Sequence, residues 1–245
     1  MRRIEIEGIP VCIAGGTDRE GGGDGPLVVL LHGYGAPGED LVPLYRQLQV
    51  KSEVRFAFPA APLDLGKELG RAYAGGRAWW MIDLAIFEAA ARGEPRADRS
   101  AEVPEGLAAA RDLASRVIAA LQQKLGATPK TTVLGGFSQG AMLSLDVALR
   151  ATEKPAALVL MSGSIIAGAE WTPLFPSLSG LPVLQSHGRS DPLLPYATAE
   201  KLKGLLEGAG ASVRFIEFAG GHTITSGVLA GLNDLILQVF PGPRD

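Results

Sequence analysis

Hydrophobic and polar positions divide the chain into two alternating kinds of segment. Short apolar runs are typical of strands covered on both faces, and they lie at residues 27–31, 54–58, 131–134, 156–161 and 182–186. Other segments space their apolar side chains three and four positions apart, as helices do, and they lie at residues 39–49, 105–125, 141–150, 195–207 and 223–239. This alternation predicts an α/β fold with a mostly parallel twisted sheet and helices on both faces.

The two ends of the predicted sheet have a different pattern. Residues 4–7 and 11–14 form two short strand-like segments separated by Gly8 and Pro10, which predicts a hairpin at an edge of the sheet. Residues 212–218 alternate apolar and polar side chains, as a half-exposed strand does.

One long stretch breaks this regularity. Between residues 63 and 104, glycines, charges and aromatic side chains mix without a sustained period, although residues 82–92 are compatible with a short helix. A stretch of this length inside a compact domain is usually functional. We therefore predict one domain over residues 1–245, with residues 63–104 as an excursion that forms a lid or part of a pocket.

Composition narrows the classes of function. The 245 residues are 47% hydrophobic and 20% charged, which is typical of a globular protein with a sizeable core, and the net charge of −3 argues against nucleic-acid binding. The one cysteine, Cys12, excludes an internal disulfide and a cysteine-rich metal site, and we expect it to be a buried apolar residue. We expect no signal peptide, no integral membrane segment and a cytoplasmic location. HxH, HExxH and a GxGxxG after the first strand are absent, so we expect no metal and no cofactor.

The strongest motif is G-x-S-x-G at residues 136–140, which we call the elbow. A buried strand precedes it and a helix rich in alanine and leucine follows it, so Ser138 lies on a sharp strand-to-helix turn. Glycines on both sides allow that turn, and the start of the helix supplies backbone N–H groups beside the hydroxyl. The alternative is a tight turn in which the serine only caps the helix, but such a turn does not require a buried strand before it and glycines on both sides.

Three polar side chains follow predicted strands in the order Ser138, Asp191, His222. Strand ends share one edge of a parallel sheet, and this order is that of the α/β-hydrolase catalytic triad. A serine hydroxyl needs a histidine to take its proton, and the histidine needs an acid to fix its tautomer. Of the other two histidines, His187 is expected to shape its turn, and His32 is tied to the Gly33 turn.

Four motifs together resemble one known family. Residues 31–35 (Leu-His-Gly-Tyr-Gly), the elbow, residues 187–192 (His-Gly-Arg-Ser-Asp-Pro) and residues 221–222 (Gly-His) look like those of the carboxylesterase, acyl-protein thioesterase and lysophospholipase group of α/β-hydrolases. The resemblance spans residues 26–240. It implies an α/β-hydrolase fold with Ser138 as nucleophile, Asp191 as acid and His222 as base, and with no cofactor.

The same resemblance implies an oxyanion hole made by the backbone N–H groups of Tyr34 and Gln139. Gln139 starts the helix after Ser138, so its N–H has no partner within the helix. Because both donors belong to the backbone, truncation of the Gln139 side chain is expected to be mild.

The sequence departs from the family where the acyl pocket is built. The family's Trp-aromatic-Asp segment appears as residues 79–83, one or two residues too long, and the excursion is longer and more charged than expected. We predict that Trp79, Trp80 and Leu193 line the pocket, while packing of the two tryptophans as core filler is an equal alternative.

These observations predict a serine hydrolase that cleaves carboxylic esters of short to medium acyl chains through an acyl-enzyme. Acyl-thioesters and lysophospholipids are alternative small-molecule substrates, and a peptidase or a non-catalytic binding protein is a weaker alternative. Acyl length, leaving group and the presence of a homodimer stay open.

Overall fold

Eight strands form one sheet in the computed structural model, which describes residues 1–83, 85, 92 and 100–241. In the order in which they neighbour one another, the strands are β1 (Arg2–Ile6), β2 (Ile9–Gly15), β4 (Arg55–Pro59), β3 (Leu27–Leu31), β7 (Thr132–Phe137), β8 (Ala157–Met161), β9 (Pro182–Gly188) and β10 (Ser212–Phe218). Two short strands, β5 (Leu63–Asp64) and β6 (Arg77–Ala78), pair separately within the excursion.

The direction of the strands follows the predicted pattern. β1, β2 and β4 pair antiparallel, so the N-terminal hairpin lies at one edge. The remaining pairs, from β4 through β3, β7, β8 and β9 to β10, are all parallel. The carboxyl ends of β3, β7, β9 and β10 therefore point to the same edge of the sheet, where ligands bind in open α/β sheets.

Helices cover both faces of the sheet. They are α1 (Leu65–Leu69), α2 (Leu107–Leu125), α3 (Gln139–Arg150), α4 (Gly168–Trp171), α5 (Tyr196–Gly208) and α6 (Ser226–Val239). Short 3₁₀ turns lie at Val42–Arg46, Arg71–Tyr73, Pro129–Thr131 and Thr172–Leu178. Among the helices of the described ranges, none is long and apolar enough to cross a membrane.

Two hydrophobic clusters, one on each face, show why the strands are apolar throughout. In β3, Val29 and Leu31 pack with α2 and α3, whereas Val28 and Leu30 pack with α6. Successive side chains of a strand point to opposite faces, so a strand covered on both sides buries all of them. Cys12 packs in the cluster that contains α6, as predicted.

Three predicted element boundaries are wrong. Residues 39–49 contain only the 3₁₀ turn Val42–Arg46, in which Pro43 has no N–H to donate. The last helix begins at Ser226 instead of 223, because the Thr225 hydroxyl accepts a hydrogen bond from the Val228 N–H and caps the helix there. Pro195 precedes α5 as its N-cap instead of being its first residue. The short helix over residues 82–92 lies largely outside the described residues.

Candidate active site

The elbow holds Ser138 in a strained backbone conformation. Ser138 lies between β7 and α3 with φ 54° and ψ −118°, a positive φ that a residue with a side chain rarely adopts. A Cβ atom on either Gly136 or Gly140 would overlap the carbonyl oxygen of Leu31 at the end of β3. Only glycine fits at these two positions. Because glycine has no Cβ, β3, β7 and α3 can approach each other closely and hold Ser138 at the edge of the sheet.

Asp191 and His222 are directly joined. His222 Nδ1 donates a hydrogen bond to Asp191 Oδ2 at 2.6 Å, and the other carboxylate oxygen accepts the N–H groups of Leu193 and Leu194 at 2.8 and 2.9 Å. Burial on its own would raise the pKa of the carboxyl group, but the bonds from His222 and the two N–H groups outweigh it and hold the pKa of Asp191 below its usual value. Asp191 is therefore ionised at neutral pH and fixes the proton of His222 on Nδ1.

The elbow and His222 lie side by side. The ring of Phe137, the residue before Ser138, contacts the His222 ring with a centroid separation of 4.7 Å. The turn that carries His222 is also pressed onto β9, because a Cβ on Gly188 would overlap the carbonyl oxygens of Gly220 and Gly221. The structure thus brings the three predicted triad residues to one edge of the sheet.

His187 approaches the same carboxylate from the buried side. Its side chain is fully buried, and Nε2 lies 2.9 Å from the carbonyl oxygen of Leu194 and 3.5 Å from Asp191 Oδ2. The carbonyl can only accept, so Nε2 carries the proton. Burial lowers the pKa of His187 and keeps the ring neutral. This contact fits the predicted role in shaping the turn, and the four-residue spacing to Asp191 was its one sequence signal.

The backbone groups predicted to form the oxyanion hole lie next to Ser138. Gln139 is the first residue of α3, so its N–H has no acceptor within the helix. Tyr34 follows Gly33, where an added Cβ would lie 3.2 Å from the Cβ of Ser138. The Gly33–Tyr34 peptide therefore passes close to the nucleophile candidate.

The side chain of Gln139 has a role that the sequence did not reveal. It is buried, its Oε1 accepts the N–H of Trp79 at 3.0 Å, and its Nε2 donates to the carbonyl of Trp80 at 2.9 Å. Truncation would leave both backbone groups unpaired in the interior, so we expect it to lower stability, while its mild effect on the backbone oxyanion donor stays a prediction.

The residues predicted to line the pocket differ in exposure. Trp79 and Trp80 are 2% and 3% exposed and pack in the cluster that contains α2 and α3. The indole N–H of Trp79 donates to the carbonyl of His32 at 3.0 Å. Leu193 is half-buried and lies in the turn that surrounds the Asp191 carboxylate.

Comparison with known proteins decides the family. Residues 20–238 match the model of a family described as phospholipase/carboxylesterase. The chain belongs to this family. The match confirms the resemblance found in the sequence and the prediction of a carboxylesterase-type hydrolase.

Curated relatives and solved structures agree with this assignment. The chain is 26% identical over 226 residues to acyl-protein thioesterase 1 of Neurospora crassa, which covers 89% of this chain and 88% of the relative. It is 24% identical over 229 residues to carboxylesterase SOBER1 of Arabidopsis thaliana, covering 88% and 91%. The crystal structure of esterase PE8 superposes with a TM-score of 0.75 at 29% identity, over 93% of this chain and 97% of that one. These matches confirm the α/β-hydrolase fold.

The described residues offer no group of three or more His, Cys, Asp or Glu side chains that could hold a metal ion. At the edge of the sheet, the described residues present a hydroxyl, an imidazole, a carboxylate and backbone N–H groups.

Proposed function

We propose that this member of the family is a serine hydrolase that cleaves carboxylic esters of short to medium acyl chains through an acyl-enzyme. One observation carries the proposal: His222 is held by an ionised Asp191 at 2.6 Å beside an elbow that forces Ser138 into a strained conformation. Strain of this kind persists only where the surrounding structure imposes it, and it concentrates at active sites.

Catalysis in this proposal begins with the serine hydroxyl. Ser138 Oγ attacks the carbonyl carbon of the ester while His222 Nε2 takes the hydroxyl proton. Asp191 keeps the other ring nitrogen protonated, which leaves Nε2 with the lone pair that accepts this proton. It also stabilises the imidazolium that results.

Collapse of the tetrahedral intermediate completes the first half. The bond to the leaving alcohol breaks, His222 returns the proton to the alcohol, and the acyl group stays on Ser138. Water then attacks the acyl-enzyme with His222 again as base, which releases the carboxylic acid and restores the hydroxyl.

The negative oxygen of each tetrahedral intermediate is stabilised by backbone N–H groups in this proposal. Gln139 contributes the N–H at the start of α3, which has no acceptor within the helix, and Tyr34 contributes the N–H of the peptide that passes Ser138. Donors of this type are worth about 3 kcal/mol each in the transition state.

The substrate class is inferred from the family and from the pocket residues. Of the predicted pocket residues, the half-buried Leu193 offers apolar surface in the turn that carries Asp191, which suits an acyl chain, whereas Trp79 and Trp80 are almost fully buried in the core beside it. A thioester is the second candidate, because the relative from Neurospora crassa is named acyl-protein thioesterase 1. The same acyl-enzyme chemistry serves both. The single buried cysteine fits a reducing compartment, so we also propose a cytoplasmic location. The proposal further takes residues 1–245 as one domain.

The test is labelling and substitution at Ser138. A fluorophosphonate probe should label the wild type and fail to label Ser138→Ala, and the variant should lose about 10⁴- to 10⁶-fold in kcat while its Tm is unchanged. His222→Ala should be as harmful, and His187→Ala much less so. Retention of half of the activity by Ser138→Ala would end the proposal.

A panel of substrates separates the candidate leaving groups. p-Nitrophenyl esters of increasing acyl length, acyl-thioesters and lysophospholipids should be compared by kcat/KM under one set of conditions. We expect carboxylic esters of short to medium chain to give the highest values. A higher kcat/KM for thioesters of matched acyl length would instead favour the thioesterase.

A further inference from the structure

His32 follows the last residue of β3, and both nitrogens of its ring are engaged. The side chain is 1% exposed, Nε2 lies 2.8 Å from the backbone N of Ala61, and Nδ1 lies 2.8 Å from the carbonyl oxygen of Gly33. The Ala61 N–H can only donate, so Nε2 accepts and carries no proton. The proton of the neutral ring is therefore on Nδ1, which donates to Gly33. Burial lowers the pKa of His32 and favours this neutral form.

The carbonyl that His32 contacts belongs to the peptide that carries the Tyr34 N–H. The carbonyl and N–H of one trans peptide are coplanar and point in opposite directions. A hydrogen bond that fixes the direction of the Gly33 carbonyl therefore also fixes the direction of the Tyr34 N–H. This peptide lies beside the nucleophile candidate, because an added Cβ on Gly33 would be 3.2 Å from the Cβ of Ser138.

The segment around this peptide is anchored on both sides. On one side, the backbone carbonyl of His32 accepts the indole N–H of Trp79 at 3.0 Å. On the other side, the N–H of Gly35 donates to the carbonyl of Arg77 at 2.9 Å, and the N–H of Arg77 donates to the carbonyl of Ala36 at 3.0 Å. These anchors hold the neighbouring residues, whereas the Gly33 carbonyl itself accepts two hydrogen bonds, one from the His32 ring at 2.8 Å and one from the Ala36 N–H at 3.3 Å.

We propose that His32 is a positioning residue for the oxyanion hole, acting by donating from Nδ1 to the Gly33 carbonyl so that the Tyr34 N–H is directed at the developing oxyanion. The bond also polarises the peptide and makes its N–H a stronger donor. Ala61 supports this arrangement by fixing the tautomer of the ring. The inference rests on the proposed function, since it assigns a role within that reaction.

Two substitutions separate the two hydrogen bonds of the ring. The amide nitrogen of asparagine is as many bonds from Cα as Nδ1 of histidine, so His32→Asn keeps a donor for the Gly33 carbonyl and loses the contact with Ala61. The amide oxygen of glutamine is as many bonds from Cα as Nε2, so His32→Gln keeps an acceptor for the Ala61 N–H and loses the donor to Gly33. Each variant loses one of the two bonds of the ring, and urea denaturation of both variants measures what each loss costs in stability.

The two variants should differ in kcat. We expect His32→Gln to lower kcat about 10- to 10²-fold with KM within about threefold, because a misdirected donor loses part of the 10²- to 10³-fold that one oxyanion donor contributes. His32→Asn should stay within about threefold of the wild-type kcat. Equal losses in both variants, the reverse order, or an effect on KM alone would overturn the inference.

A trifluoromethyl ketone inhibitor provides a second readout. Ser138 Oγ adds to its carbonyl, the proton passes to His222, and the product carries the oxyanion, so its inhibition constant reports the oxyanion hole directly. His32→Gln should raise this constant by the same factor by which it lowers kcat. If His32→Gln does not fold, His32→Asn remains decisive: a folded His32→Asn that loses more than about tenfold in kcat or in inhibitor affinity would refute the role.

The experiment separates this inference from the proposed function. If the wild type does not hydrolyse esters, or if Ser138→Ala is active, the proposed function fails. If Ser138→Ala is inactive but His32→Gln equals the wild type in kcat and in inhibitor affinity, only the role of His32 fails.

Discussion

Replacement of Asp191 by asparagine tests the proposed triad at the carboxylate, where both oxygens accept hydrogen bonds. One carboxylate oxygen accepts two backbone N–H groups, from Leu193 and Leu194, and the other accepts the Nδ1 proton of His222. The single amide oxygen of the Asp191→Asn variant can replace only one of these acceptors. It should face the two N–H groups, which leaves the amide NH₂ pointing at His222.

The magnitude follows from this geometry. An NH₂ facing Nδ1 donates to it and forces the proton of His222 onto Nε2, where it blocks acceptance of the Ser138 proton. Turning the amide would sacrifice two buried hydrogen bonds, at about 1–3 kcal/mol each, so the productive tautomer is disfavoured by about 2–6 kcal/mol. Loss of the negative charge beside the imidazolium adds to this. We expect kcat to fall about 10³- to 10⁴-fold, in line with other triads whose acid is replaced by its amide.

Stability distinguishes this effect from misfolding. The Asp191→Asn variant keeps both backbone bonds, so its free energy of unfolding should be within about 1 kcal/mol of the wild type. Asp191→Ala is the matched control, since it loses those bonds and should be less stable than the asparagine variant without being less active. The measurements are kcat with a p-nitrophenyl ester and urea denaturation at pH 7. An asparagine variant within tenfold of the wild-type kcat would refute the assignment of Asp191.

Three further predictions follow from buried contacts. Gln139→Met keeps the side-chain volume but leaves the Trp79 N–H and the Trp80 carbonyl unpaired. Urea denaturation should show that the free energy of unfolding falls by about 2–4 kcal/mol, and an unchanged value would contradict the role of this side chain. Trp80→Ala should change the preferred acyl length of p-nitrophenyl esters, whereas an unchanged profile with a lower Tm would assign the ring to core packing alone. Burial lowers the pKa values of His32 and His187, so between about pH 6.5 and those values the unfolded chain binds more protons, and stability should fall with decreasing pH by up to about 1.4 kcal/mol per unit for each histidine. Urea denaturation at pH 7, 6 and 5 checks this, and a free energy of unfolding that is flat across this range would contradict it.

The fold could be predicted because its strands are covered on both faces. A run such as residues 27–31 admits no exposed side chain, and the structure has β3 at those residues. The ends of helices are harder to predict where a single polar side chain or a proline determines where the helix begins or whether it forms. Thr225 caps the last helix although Thr223 is an equally good candidate by type, and Pro43 limits a segment with helical spacing to a short turn.

The candidate catalytic residues could be predicted because they depend on local backbone geometry. Close contact with the Leu31 carbonyl requires glycine at positions 136 and 140. The glycines of the motif therefore indicate the sharp turn in the sequence itself. The roles of His32 and the Gln139 side chain could not be predicted in this way. Their partners, Ala61 and Trp79, are 29 and 60 residues distant, and no spacing in the sequence indicates that they meet.

The excursion joins the candidate active site mainly through backbone groups, and this explains why the sequence indicates the reaction more readily than the substrate. Arg77 pairs with Gly35 and Ala36 through N–H and carbonyl groups, and the Gln139 amide forms hydrogen bonds with backbone groups of Trp79 and Trp80. Backbone bonds of this kind form with almost any side chain at those positions. Apart from the Trp79 indole, which donates to the His32 carbonyl, side chains of the excursion can therefore change the shape of a pocket while these backbone contacts stay in place. The preferred acyl length must therefore be measured with variants in the excursion, and Trp80→Ala is the first of these variants.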